Sequence, residues 1–219
     1  MVPKDSTTPI SSIKLQINGY TLWHNLDNIY NEVSQGIQGR GVIIYTKNEI
    51  EVTTVNQLSA SMKEAVFISV QMQNHDDKLL IGNIYRSPNS TEDNNAEICK
   101  LMEKLGPKSG YSHILIMGDF NFKNIDWRNG LVLNNCDESE KFFQATQDTF
   151  LYQHVDQTTR ARGLQTPSLI DLVFTNEEHM IHDITYLSPL GNSDHCIISF
   201  SFMCYTEHSK NPAGKKVFV

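Results

Sequence analysis

Four segments of the chain each carry an apolar run into side chains that could hold a proton, a phosphate or a cation. Ile114-Leu115-Ile116-Met117 runs straight into Gly118-Asp119-Phe120-Asn121, delivering a carboxylate and a carboxamide at the end of a buried run. Residues 168–174 (SLIDLVF) set Asp171 within an apolar strand, with Ser168 at its start. Gly191-Asn192-Ser193-Asp194-His195 brings a carboxylate and an imidazole side by side ahead of the last apolar run. Ile84-Tyr85-Arg86-Ser87-Pro88-Asn89 closes another strand, with Pro88 as terminator. A carboxylate flanked by Leu169, Ile170, Leu172 and Val173 is costly to desolvate unless it is paired. The usual partner is a histidine that it orients and charges, while an edge-strand Asp facing water is the plain alternative. Asp119 and Asn121 equally suit a turn after a strand, and Asp194-His195 a helix cap with an exposed ring.

The elements that must position these groups are mostly short strands. Residues 41–46 (GVIIYT), 50–55 (IEVTTV), 65–72 (AVFISVQM) and 78–85 (KLLIGNIY) follow one another across turn-forming linkers and predict an antiparallel meander. Within 65–72, Val66, Ile68 and Val70 alternate with Phe67, Ser69 and Gln71, the period of a sheet with one deeply buried face. Later strands are predicted over 113–117, 168–175, 184–187 and 196–203. Two amphipathic helices are predicted, over 94–105 with Ile98, Leu101, Met102 and Leu105 on one face, and over 138–150 with Phe142, Thr146 and Phe150. In the second, Asp137 with Glu140 suits an N-cap and its reciprocal partner. The first 35 or so residues are loosely patterned, and 205–219 reads as a linker or tail after a domain over 1–204.

Composition sets the bounds. The 219 residues are 39% hydrophobic and 20% charged, too apolar for disorder and without any apolar run near membrane-spanning length. The first ten residues carry no apolar core of a secretory signal, and the Asn89-Ser90-Thr91 sequon therefore reads as a turn. Cys99, Cys136, Cys196 and Cys204 have no CxxC spacing and read as reduced thiols of an intracellular, nuclear or cytoplasmic protein that is neither secreted nor in a membrane. A net charge of −7 argues against a passive nucleic-acid coat but not against an enzyme touching few phosphates. Residues 1–110 hold 10 basic and 12 acidic side chains and residues 111–219 hold 8 and 13, so the acidic excess lies mostly in the half that carries most of these motifs. Trp23 and Trp127 read as packing anchors, and among the eight histidines only His195 sits in a motif.

Taken in order, IYRSPN, GDFN followed by Ile125-Asp126-Trp127, SLIDLVFT and SDH resemble the endonuclease/exonuclease/phosphatase superfamily, and most of all the endonuclease domains of non-long-terminal-repeat retrotransposons. GRGVIIYT resembles an upstream strand of the same set, and the likeness runs from about Pro3 to Phe202. It implies a four-layered α/β/β/α sandwich of two mixed sheets flanked by helices, and hydrolysis of a phosphodiester dependent on Mg²⁺ or Mn²⁺, with DNA as partner. On that resemblance Asp119 positions or deprotonates the attacking water, Asn121 holds water and phosphate, and Tyr85 reaches the phosphate. His195 donates to the phosphate oxygens with Asp171 fixing its tautomer, and Asp194 is the metal ligand. Ser193 and Ser168 would be supporting donors, while Arg86, Arg160 and Arg162 could meet the DNA backbone.

The family pattern opens with an Asn-bearing strand and a second strand ending in a metal-ligand Glu, and Met1–Asp5 resembles the stretch just after that Glu. The expectation is thus an N-terminally incomplete domain lacking the first two strands, with weak cation binding and cleavage reduced or lost. An inactive remnant, or a domesticated protein that binds nucleic acid or another partner, is the alternative expectation. A phosphatase of the same fold is the second.

Overall fold

A computed structural model describes residues 15–26, 41–59, 62, 64–72, 77–107, 109–204 and 213–218. Its centre is a mixed sheet of six strands. These are β3 (Val52–Thr54), β4 (Ala65–Gln71), β5 (Lys78–Tyr85), β6 (His113–Asp119), β9 (Tyr152–Gln153) and β10 (Asp171–Thr175). They lie side by side in the order β3-β4-β5-β6-β10-β9. β3, β4 and β5 form an antiparallel meander, as the sequence predicts, with a single helical turn, α1 (Asn56–Ser59), after β3. β5 and β6 run parallel, joined by helix α2 (Glu92–Lys104), because a parallel pair needs a crossover that a tight turn cannot supply. β10 returns antiparallel to β6.

The predicted meander is corrected at its first strand. β2 (Gly41–Lys47) leaves the six-stranded sheet and pairs instead with β1 (Tyr20–Leu26), a strand whose loose patterning gave no signal. The hairpin then lies over the central sheet, tied to it by Asn83 Nδ2 donating to Ile43 O at 3.0 Å and Asn25 Nδ2 to Ala65 O at 3.0 Å.

The prediction of one buried face is also corrected, since the strands alternate between two cores. Phe67, Leu80, Ile84, Ile114, Ile116, Leu172 and Phe174 face helices α2 and α3 (Asp137–Asp148), packing on Ile98, Leu101, Met102 and Phe142. Ile68, Val70, Leu79, Ile81, Leu115, Met117 and Val173 face the other way, onto Ile198, Phe200 and Phe202 of β12 (Ile197–Cys204). A sheet covered on both faces reads as a nearly continuous apolar run, as HILIM does. β12 lies in a three-stranded sheet between β11 (Ile181–Leu187) and β13 (Ala213–Phe218). Residues 213–218, read from sequence as tail, thus form a strand, because the β12 backbone offers hydrogen-bond partners that a periodicity search cannot see. The layers among the described residues are helices, central sheet and a second tier of strands. The outer helix layer expected beyond that tier is not seen among the described residues.

Helix α2 starts at an N-cap, Thr91, whose hydroxyl accepts from Asn94 N. Helix α3 takes Cys136 as its N-cap residue, so the predicted cap Asp137 is instead its first helical residue, favourably placed at the positive end of the dipole. The short strands β7 (Ile125–Asp126) and β8 (Leu131–Val132) pair with each other and bring Trp127 onto Phe142, Phe143 and Phe174. Trp23 packs against the inter-sheet core, its Nε1 donating to Thr46 Oγ1 at 2.8 Å. Both tryptophans are packing anchors. No described helix is long and apolar enough to cross a membrane.

Candidate active site

Strand register assembles the site. Asp119 ends β6 opposite Asp171, which begins β10, and beside Tyr85, which ends β5. Residues directly opposite share a face, so Asp119, Asp171 and Tyr85 lie on the side that faces the second tier, like Met117 and Val173 before them. The approach of β6 to β5 is close because Gly118, at φ +147°, has no Cβ; one built there would lie 1.8 Å from Ile84 O.

The segment before β12 supplies the imidazole. His195 Nδ1 donates to Asp171 at 2.8 Å (Oδ2) and 3.0 Å (Oδ1), which fixes the hydrogen on Nδ1 and turns Nε2 towards Asp119 Oδ2 at 4.0 Å and Asp194 Oδ1 at 3.9 Å. The half-buried Asp171 is therefore paired, not an edge residue facing water. Burial works against a charged His195 ring, but the hydrogen bond and charge of Asp171, with Asp119 and Asp194, outweigh it and hold its pKa above the ordinary imidazole value. Asp119 is the most perturbed carboxyl. Burial first, and the Asp171 charge second, push its pKa up to about 7, against the pull of His195 and Asn121. Its Oδ1 is buried without a hydrogen-bond partner. That is the configuration of a base poised near neutrality.

One residue essential to this geometry escaped sequence reasoning. Thr159, buried, donates its hydroxyl hydrogen to Asp171 Oδ2 at 2.6 Å and accepts from Asp171 N at 3.1 Å. Its carbonyl accepts from Cys196 N at 2.8 Å, binding the histidine segment to the same point. It sits in an unpatterned polar run, QTTR, where no spacing or motif marks it.

The other expected site residues fall in varied places. Asn121 is buried at φ +53°, a conformation Asn tolerates, and donates Nδ2 to Arg86 O at 2.8 Å. Ser193 Oγ accepts from His195 N at 3.1 Å, so it shapes the histidine turn. Ser168 acts through its backbone, which pairs with Arg160. Asp194 lies next to the imidazole but forms an ion pair, its Oδ2 accepting from Arg160 Nε at 2.9 Å. Burial raises its pKa, but that hydrogen bond and charge lower it further, for a net depression. Arg160 is thus part of the site wall, whereas Arg162 stands exposed on the loop 161–167. Arg86 corrects an expectation. It is 4% exposed, inside the protein, and its guanidinium is engaged by Asn95, Asn121 O and Glu138, so it is a buried strut and not a contact to DNA phosphates.

The donor set fits a divalent cation. Asp119, Asp171 and His195 present ligand atoms within 4.8 Å of one another, and Asp119 Oδ1 is buried with no hydrogen-bond partner. Asp171 already serves His195 and Thr159, and Asp194, outside that set, gives its Oδ2 to Arg160 while its Oδ1 lies 3.9 Å from His195 Nε2.

The fold recurs among solved structures. The endonuclease domain of TRAS1, a telomere-specific non-LTR retrotransposon, aligns with a TM-score of 0.63 at 17% identity over 85% of this chain and 79% of that one. A 3′ phosphatase, NExo from Neisseria, solved with product DNA hairpin, aligns at 0.55 and 14% over 91% and 85%. An endonuclease/exonuclease/phosphatase family protein from Leptotrichia buccalis aligns at 0.54 and 17% over 87% and 74%. No curated protein matches the chain in sequence. Residues 79–199, which hold Tyr85, Asp119, Asp171 and His195, match the family described as Endonuclease-reverse transcriptase, and as this is more than half of its length, the chain belongs to that family.

Proposed function

We propose that the chain is a phosphodiesterase that nicks DNA by attack of water, with Mg²⁺ or Mn²⁺ as its cation. The observation that carries this reading is the Asp119–Asp171–His195 cluster, a carboxyl poised near neutral pH beside an oriented, charge-stabilised imidazole. Asp119 accepts a proton from water on its carboxylate as the water oxygen bonds to phosphorus. His195 donates from Nε2 to a non-bridging phosphate oxygen, and Asp171 keeps the hydrogen on Nδ1 so that only Nε2 faces the substrate. The P–O ester bond breaks, and its leaving oxygen takes up a proton from solvent water. Asn121, with one N–H committed to Arg86 O, uses the other to hold the water or phosphate, and Tyr85, beside Asp119 on the neighbouring strand, reaches the phosphate.

Asp194, through the oxygen that Arg160 leaves open, would hold the cation next to Asp119. When bound, it neutralises the charge of the five-coordinate phosphate. Affinity for it should be weak, because one Asp194 oxygen is engaged by Arg160 and Asp119 retains its proton to about pH 7. Arg162 on the exposed loop meets the DNA backbone. The free thiols Cys99, Cys136 and Cys196 fit a reducing compartment, the nucleus or cytoplasm.

Supercoiled plasmid incubated with the purified protein and Mg²⁺ or Mn²⁺ tests the reading. Relaxation by the wild type and its loss in Asp119→Ala and His195→Ala are expected. Equal relaxation by all three preparations refutes it, and preference for inositol phosphates over plasmid would favour a phosphatase.

A further inference from the structure

A heavily engaged buried arginine lies outside the cluster that would carry out the chemistry. Arg86 follows β5 and is buried on the helix side, stacked 4.1 Å over the Phe122 ring. Its guanidinium donates through Nε to Asn95 Oδ1 at 2.7 Å, through Nη1 to Asn121 O at 3.2 Å and through Nη2 to Glu138 Oε2 at 2.7 Å. Asn95 of α2 donates to the same Glu138 oxygen at 2.6 Å, so both helices meet at this point. The backbone of Arg86 faces the same turn, its N–H donating to Asp119 O at 2.8 Å and its carbonyl accepting from Asn121 Nδ2 at 2.8 Å.

A buried arginine is costly to desolvate, and burial lowers its pKa even with Glu138 beside it. An apolar side chain stacked on Phe122 would fill the space more cheaply. What the guanidinium adds is geometry, because its planar fork fixes three acceptors at once, which a lysine cannot do. Two of its backbone partners and one of its side-chain partners belong to residues 119–121, where Asn121 is held in the left-handed region.

We propose that Arg86, held by Glu138 and Asn95, is a positioning residue that locks the Asn121 turn and so sets the direction of its carboxamide beside Asp119. The role rests on the phosphodiesterase reading in its kinetic consequence only. A displacement of about 1 Å at a reacting group lowers turnover about 100-fold. Arg86→Met is therefore expected to lower kcat about 100-fold with KM within about threefold, and Glu138→Gln to lower it about 10-fold.

The test pairs kinetics with nitrogen-15 spectra of the whole chain. The Asn121 carboxamide pair, assigned by its loss in Asn121→Asp, should move and lose protection from hydrogen exchange in both Arg86→Met and Glu138→Gln. Where Arg86→Met does not fold, Glu138→Gln decides alone, since its side chain is 49% exposed and tolerates the change. An unmoved, protected pair in the folded variants overturns the inference, as does wild-type kcat in both. A wild type without activity refutes the phosphodiesterase reading alone, and the spectra then decide the positioning role by themselves.

Discussion

Asp119→Asn should stabilise the protein, and by an amount that depends on pH. The folded state holds the Asp119 carboxyl at about 7 against an ordinary 3.8, because ionisation there is opposed by burial and by Asp171. The folded protein thus binds this proton more tightly than the unfolded chain does. Below pH 4 both states are protonated and nothing is lost; from pH 4 to about 7 stability falls as pH rises. At about 1.4 kcal/mol per pH unit the full penalty is about 4 kcal/mol, with the pull of His195 already included. A carboxamide never ionises, so the variant avoids the penalty. Thermal unfolding with a chelator present should show little difference at pH 4 and a midpoint about 5–15 °C higher for Asp119→Asn at pH 8. A variant that gains equally at both pH values, or is less stable at pH 8, would refute the reasoning. His195, with its raised pKa, loses stability in the same direction above pH 6.5, which is why the comparison must be made against the wild type at each pH.

Two further outcomes follow from single atoms. Thr159→Val removes the hydroxyl that serves Asp171 while keeping the shape, and should cost about 1–3 kcal/mol in urea unfolding and lower plasmid nicking about tenfold; Thr159→Ser should restore both. Gly118→Ala forces a Cβ to within 1.8 Å of the Ile84 carbonyl, so it should lower stability by more than about 3 kcal/mol, seen as loss of the folded fraction on expression and refolding.

Much of the site was legible because the chemistry is written where strands stop. GDFN ends one apolar run while SLID and SDH open others, and register then sets Asp119 against Asp171 without help from distant residues. The two helices were legible from their apolar faces, although α3 ends at Asp148 with the expected Phe150 exposed beyond it, and its cap lies one residue ahead of the expected Asp137. What stayed hidden depends on contacts between remote segments. The register that pairs β2 with β1, and not with the meander, is decided by tertiary packing. Thr159 acquires its role only when the loop before β10 folds back on Asp171. Arg86 misled because arginine beside a strand end suits solvent or phosphate equally well, and only its three acceptors draw it inside. Asp194, expected purely as a metal ligand, is shared with Arg160 for the same reason.

Cleavage of a DNA duplex in water enriched with oxygen-18, followed by mass analysis of the new phosphate end, tests the central claim most directly. If Asp119 delivers water to phosphorus, the wild type with Mg²⁺ places one heavy oxygen on each new phosphate, and Asp119→Ala yields no labelled end. Cut ends without label, or labelled ends formed as fast by Asp119→Ala and His195→Ala as by the wild type, would contradict it.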